Sequence, residues 1–304
     1  MSRADAGIIL AFAGFVLIGG SNVVAVRFSN AELDPFWGAG ARFAAASLLF
    51  FILVLLRRAR LPRGRALAGA ALYGLFNFAA FYACAYWALL HIGSGPAAVV
   101  LGLTPLVTFG LAVAQRQEAF RWRAVAGGLL AVAGLAVVFE DGFGGEISGW
   151  AVLALVGAAA ASGQASLVVK RFPPVDPAAM NAVGMLVGSA LLLALSLVAG
   201  EEWTAPTRTS TWLVLVYLVT LGGLALFLLV LYVLRHWTAS ATAYGFVLFP
   251  IVATSLGAWL ADEQVTGRFI LGSLLVLLGV YVGALARRSP LVSPPLPAGS
   301  DGKA

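Results

Sequence analysis

The chain of 304 residues has little to offer most kinds of site chemistry: one cysteine, two histidines and 13 aspartates and glutamates. A single cysteine, Cys84, excludes an internal disulfide. His91 and His236 have no cluster of Cys, Asp or Glu around them in the sequence, so neither a metal site nor a cofactor is expected. Charged residues make up 11% of the chain, against about 25% in a soluble domain. Hydrophobic residues make up 61%, and the mean hydropathy is +0.97. A soluble fold could not cover so much apolar surface, so the solvent is lipid. The net charge of +6 and pI near 9.9 would suit a nucleic-acid partner. The basic residues lie in loops between apolar runs, which excludes that reading.

Ten stretches come close to the roughly 20 residues that cross a hydrocarbon core of about 30 Å. They are Ala6–Val26, Pro35–Leu56, Ala66–Leu90, Ser94–Gln115, Trp122–Phe139, Gly149–Lys170, Pro177–Ala199, Thr211–Leu234, Thr238–Ala261 and Gly267–Ala286. Only helices and closed barrels satisfy their backbone polar groups in lipid, and runs of this length predict helices. The first is long for a cleaved signal peptide and is read as a span. All 13 acidic residues fall in loops, in the tail or at helix ends, so no carboxylate is expected inside the membrane. The tail 287–304, rich in Pro, Ser and Gly, reads as disordered and cytoplasmic.

Lys and Arg set the orientation. With a cytoplasmic N-terminus, the inner segments hold Arg3, Arg57, Arg58, Arg60, Arg63, Arg65, Arg116, Arg121, Arg123, Lys170, Arg171, Arg235, Arg287, Arg288 and Lys303. The outer segments hold Arg27, Arg208 and Arg268. Fifteen against three puts both termini inside. The acidic loop Glu140–Glu146 fits the outer side. Arg42 is the remaining cation and lies within the second span.

The sequence repeats itself. A shift of 145 positions pairs His91 with His236, Pro105 with Pro250, Glu118 with Glu263, Arg123 with Arg268, Gly127 with Gly272 and Gly134 with Gly279. Earlier in the chain a shift of 142 pairs Asn22 with Gln164 and Asp34-Pro35 with Asp176-Pro177. The copies are five spans apart. An odd number makes equivalent spans cross in opposite directions, so this is an inverted repeat, the architecture of many secondary transporters. The fold expected is an all-α membrane protein of ten transmembrane helices in two five-helix halves, residues 6–139 and 149–286. Both halves are in one chain, so it can work as a monomer or a homodimer.

Several stretches resemble the EamA family of the drug/metabolite transporter superfamily. They are Gly20-Ser21-Asn22, Arg42-Phe43, Leu103-Thr104-Pro105 with Gln117-Glu118, and Phe249-Pro250 with Asp262-Glu263, each of the last two followed by a Gly-rich helix. The resemblance covers about Gly7 to Ala286. It implies two EamA units and export of amino acids or related small metabolites across a bacterial inner membrane. Proton-coupled drug exporters, including the related small multidrug exporters, use a membrane-embedded carboxylate. This chain lacks one, which points to facilitated export or exchange.

Candidate substrate-pathway residues are given by polarity inside the spans. Arg42, costly in lipid, either clamps a substrate carboxylate or phosphate or bonds helix-end carbonyls and acids such as Asp34. Asn77 falls near mid-membrane, and its counterpart Gly222 breaks the symmetry; it could contact the substrate or bond another helix. Asn22 and Gln164 are candidate gate residues at opposite faces. Tyr82, Trp87, Tyr244 and Phe249 could give the pathway an aromatic lining, or simply pack. Pro105 and Pro250 each remove a helix hydrogen bond and free a carbonyl four residues back, at Leu101 and Phe246. They are read as hinges or as fixed kinks, with Thr104 and Thr108 available to satisfy the freed groups. His91, His236, Glu118 and Glu263 are expected to bond helix ends. Neutral or aromatic amino acids are the expected substrates. A lipid or lipid-linked-sugar flippase, a proton-coupled drug exporter, a membrane enzyme and a non-transporting partner are the competing readings. An enzyme lacks its nucleophile–base pair here.

Overall fold

The computed structural model describes residues 3–140, 148–260 and 266–284. Among these every regular element is helical and there is no strand. In chain order the helices are α1 Arg3–Ser29, α2 Pro35–Leu56, α3 Arg65–Ala88, α4 Ser94–Ala114 and α5 Trp122–Glu140. Then come α6 Gly149–Arg171, α7 Pro177–Ala199, α8 Thr209–His236, α9 Ala239–Leu260 and α10 Gly267–Ala284. Among the described residues eight helices, α1 to α4 and α6 to α9, are long and apolar enough to cross a membrane. The acidic loop after Glu140, Asp262-Glu263 and the tail 287–304 lie outside the described residues.

Helix ends obey local chemistry. Asp176 caps α7: its Oδ1 accepts from the amides of Ala178 and Ala179 at 2.9 and 3.3 Å, and Pro177 sits in the first turn. The helix stops at Gly200, which turns left-handed at φ 72°. The matching Asp34-Pro35 behaves differently. Asp34 does not cap α2 and instead accepts from the Glu202 amide at 2.9 Å. The first amides of α2, at Phe36 and Trp37, are taken at 3.1 and 2.7 Å by the carboxylate of Glu201, just past the end of α7. One repeat therefore caps a helix of the other.

Two pairs of equivalent helices, α2–α7 and α5–α10, meet antiparallel. In the α2–α7 pair Gly40 lies against Leu193, while Ser47 donates to the Ala182 carbonyl at 2.8 Å. In the α5–α10 pair a methyl on Gly134 would come within 2.7 Å of the Gly272 carbonyl oxygen. A methyl on Gly279 would come within 2.5 Å of the Gly127 carbonyl oxygen. The 145-residue shift converts the first contact into the second, as a two-fold axis requires. Likewise α1 beside α9, with Gly19 and Gly20 against Phe249 and Val252, answers α6 beside α4, with Gly163 against Thr108. Small residues at each contact let the backbones close up.

Two features were not legible in the sequence. Leu75–Ala80 in α3 and Thr220–Ala225 in α8 wind as π-helix, 145 residues apart. Such turns are rare and frequent at functional sites. The broken helices α4 and α9 also differ. α4 is interrupted at Gly102-Leu103, and Pro105 lies in the first turn of its second segment, Thr104–Ala114. α9 is interrupted at Tyr244, and Pro250 lies inside the segment Gly245–Leu260. The two prolines are equivalent in sequence but not in backbone setting.

Candidate functional site

Between the repeats lies a cavity of about 80 Å³, walled by α1, α3, α4, α6, α8 and α9. A single water needs roughly 10–15 Å³ on the same measure. The space holds a few waters, and a solute the size of an amino acid would have to move the walls. The wall is largely apolar, with the aromatic rings of Phe15, Phe81, Tyr82, Phe227, Phe246 and Phe249 among its residues. Polar groups reach it from Asn22, Tyr73, Asn77, Tyr86, Ser162, Ser166 and Thr242. Among these lining residues there is no Asp or Glu.

The two π turns organise the polar groups. In a π turn the carbonyls no longer line up with the amides four residues on, and side chains can use them. The Gly222 carbonyl, in the α8 turn, accepts from Asn22 Nδ2 at 3.2 Å and from the Arg42 guanidinium at 3.5 Å. Gly222 itself makes room: a methyl there would fall 2.2 Å from Asn22 Oδ1. In the α3 turn Asn77 donates to the Tyr73 hydroxyl at 3.3 Å, and Tyr73 donates to Asn181 at 3.4 Å. One end of the wall is therefore backed by a cation, and the other carries a chain of neutral groups.

Arg42 is 1% exposed. Its guanidinium donates to the Tyr86 hydroxyl at 3.0 Å and lies 4.5 Å from the ring centre of Phe43 and 5.0 Å from that of Tyr82. It does not bond Asp34, the acid suggested by sequence, because Asp34 serves the Glu202 amide. Tyr82 and Tyr86 form the wall, and Arg42 stands behind them.

Of the residues expected along the pathway, Asn22, Asn77, Tyr82 and Phe249 line the cavity. Trp87 instead borders a second hollow with Phe36, Cys84, His91 and Trp150. Gln164 bonds Gln115 at 2.6 Å, away from the cavity. Tyr244 is the residue at which α9 breaks. Thr104 donates to the Leu101 carbonyl, the group that Pro105 frees, while the buried Thr108 hydroxyl has no hydrogen-bond partner among the described residues. The histidines bond helix ends as expected: His91 Nδ1 to the Trp87 carbonyl at 3.0 Å and His236 Nδ1 to that of Tyr232 at 2.8 Å. Glu118 anchors the start of α9 by accepting from the Ser240 hydroxyl at 2.7 Å, and it pairs with Arg121 at 3.3 Å. Among the described residues no group of three His, Cys, Asp or Glu could hold a metal.

Sequence reasoning missed Tyr73, Tyr86, Phe15, Phe81 and Phe227. Each sits in a helix apolar on all sides, where polarity does not reveal which face turns inward. Tyr86 had one usable signal: it stands four residues after Tyr82, one helical turn along the same face.

The model of the EamA-like transporter family matches the chain twice, over residues 5–140 and 149–284. The chain is 32% identical over 292 residues to the "Uncharacterized inner membrane transporter YedA" of Escherichia coli (strain K12), covering 91% of this chain and 92% of that protein. It is 25% identical over 308 residues to the "Probable amino-acid metabolite efflux pump" of the same organism, covering 95% and 97%. A solved crystal structure superposes with a TM-score of 0.68 at 20% identity, covering 92% of this chain and 97% of that one. At that identity the likeness concerns the fold alone.

Proposed function

The chain belongs to the EamA-like transporter family and is a multi-pass membrane transporter, and we propose that it exports neutral or aromatic amino acids by alternating access. The observation that carries this reading is the cavity. It lies where the two repeats meet, its wall is apolar with several aromatic rings, and a few polar groups converge on it from both halves. Concave, mostly apolar sites with a few placed polar groups are what small-molecule ligands use. In this reading ten helices cross the membrane, α5 and α10 included. The antiparallel contacts of α2 with α7 and of α5 with α10 support inverted halves, and in this reading an exchange of conformations between them opens the cavity to either side. The excess of Lys and Arg in alternate loops puts both termini in the cytoplasm. One chain holds both halves, so a monomer suffices and a homodimer is allowed.

Transport runs down the substrate gradient or by exchange. Among the cavity-lining residues no carboxylate is available to trade a proton for substrate. The efflux pump it resembles is named for amino-acid metabolites, in line with this substrate class. Purified protein in liposomes, offered a panel of labelled amino acids with a pH-sensitive dye inside, tests the reading. Uptake of neutral or aromatic members above protein-free liposomes, with no dye response, is expected. No uptake of any member rejects the substrate class, and dye response in step with uptake rejects the coupling.

A further inference from the structure

Asn22 and Arg42 meet at one carbonyl oxygen of the α8 π turn, Tyr82 and Tyr86 lie against Arg42, and among the described residues Asn22 Oδ1 and Arg42 Nε lack partners. Arg42 is a buried cation without a counter-ion among the described residues. Among the described residues three acids at its end of the bundle are engaged elsewhere: Asp34 with the Glu202 amide, Glu201 with the Phe36 and Trp37 amides, and Glu32 with Thr207 and Arg208. Glu32 is held down to about 2 by hydrogen bonds from Thr207 and Thr211, so it remains ionised in its own loop at any ordinary pH. The Nε of Arg42 has no hydrogen-bond partner among the described residues. Aromatic faces offset part of the charge, and the Gly222 carbonyl at 3.5 Å is a marginal acceptor.

The donors continue into the cavity. Tyr86 accepts from Arg42 at 3.0 Å, so its own proton is turned elsewhere, and no acceptor for it is found among the described residues. Tyr86 and Tyr82 both line the cavity and are 1% and 7% exposed. Beside them Asn22 has the opposite deficiency. Its Nδ2 serves the Gly222 carbonyl, which fixes the amide orientation, and its buried Oδ1 has no donor among the described residues. Positive charge with spare hydroxyl donors, next to a spare acceptor, is complementary to a carboxylate next to an ammonium. The aromatic wall beyond suits an apolar side chain.

We propose that this corner receives the zwitterionic head of the transported amino acid. The carboxylate is held by the Tyr82 and Tyr86 hydroxyls with Arg42 as counter-charge behind them, and the ammonium by Asn22 Oδ1. The assignment rests on the amino-acid reading above and adds which residues recognise which end. The symmetry-related corner cannot do the same, because the position of Arg42 there is Gly184 and that of Asn22 is Gln164, which is paired with Gln115.

The test uses the full chain in proteoliposomes, with labelled phenylalanine uptake competed by phenylalanine, phenylalaninamide, 3-phenylpropionate and phenethylamine. Thermal protection in detergent by the same compounds is measured in parallel. For the wild type, the carboxylate-bearing compounds should compete at least tenfold better than their counterparts lacking it. In Arg42→Gln that preference should collapse to within about twofold, and Arg42→Lys should restore part of it. In Asn22→Leu the advantage of phenylalanine over 3-phenylpropionate should disappear while the carboxylate preference stays. If Arg42→Gln does not fold, the Tyr82→Phe, Tyr86→Phe double variant carries the test with the same expectation. Wild type that treats phenylalanine and its amide alike overturns the proposal and leaves amino-acid export standing, as does an unchanged preference in folded variants. Wild type that moves no amino acid but is protected by carboxylates in an Arg42-dependent way supports the corner and rejects the export reading. Absence of any carboxylate effect on the wild type overturns it.

Discussion

Gly134 and Gly279 hold the same place in the two repeats, and so do Asn77 and Gly222. The first pair is the same residue twice; the second is not. Gly134 and Gly279 lie where α5 meets α10, and each presses on a backbone carbonyl of the other repeat. Across a two-fold axis every contact is made twice, so both copies carry the same steric demand. Asn77 and Gly222 lie in the π turns beside the cavity. There the two walls face one solute, and a solute with unlike ends asks different things of each wall. Asn77 joins a chain of neutral groups, while Gly222 clears space for Asn22 and Arg42. In these two pairs divergence falls beside the cavity and identity at the α5–α10 contact.

The largest effect should come from filling the seam. Gly279→Val forces a side chain against the Gly127 carbonyl, and overpacking of this kind costs about 1–3 kcal/mol or more. Thermal unfolding in detergent should show a clear drop, matched by Gly134→Val. Gly267→Ala, on the same helix with nothing within 4 Å, should be near neutral. Equal stability of Gly279→Val and wild type would break the two-fold packing. A smaller effect should separate the prolines. Pro250 lies inside a continuous segment and Pro105 in a first turn, where a missing amide hydrogen costs little. Pro250→Ala should slow transport several-fold without loss of folded protein, and Pro105→Ala should leave the rate nearly unchanged. Equal rates for the two variants would remove the hinge from α9. The smallest effect concerns helix caps. Asp176→Ala should cost about 1 kcal/mol, measured by unfolding. Asp34→Ala should cost less, because Glu201 caps α2, and Glu201→Ala should reproduce the Asp176 loss.

The helices were legible because a lipid solvent demands long apolar runs, and Asp-Pro or Gly at their ends marks where they begin and stop. The repeat was legible because Gly, Pro, His and Glu are scarce enough in such a chain for their spacing to carry information. Asn22 and Asn77 could be picked out as polar residues in apolar helices. Tyr86 and Phe227 could not, since one aromatic among many apolar neighbours gives no sign of its direction. Asp34 and Asp176 read as the same motif, and only the neighbouring carboxylate of Glu201 made them different.

Composition and periodic spacing alone determined an all-helical membrane chain built twice over, since both depend on what each segment needs from its solvent and on residues repeated at a fixed distance. Which side chains face the cavity was decided only in three dimensions. In lipid both faces of a helix are apolar, so no polarity period fixes the inward face. Each π turn also rotates the remainder of its helix by a residue's worth of phase that the sequence does not announce. Arg42 acquired its surroundings in the same way: its place in α2 was plain from the chain, but the tyrosines before it and the carbonyl beside it come from helices far away in sequence.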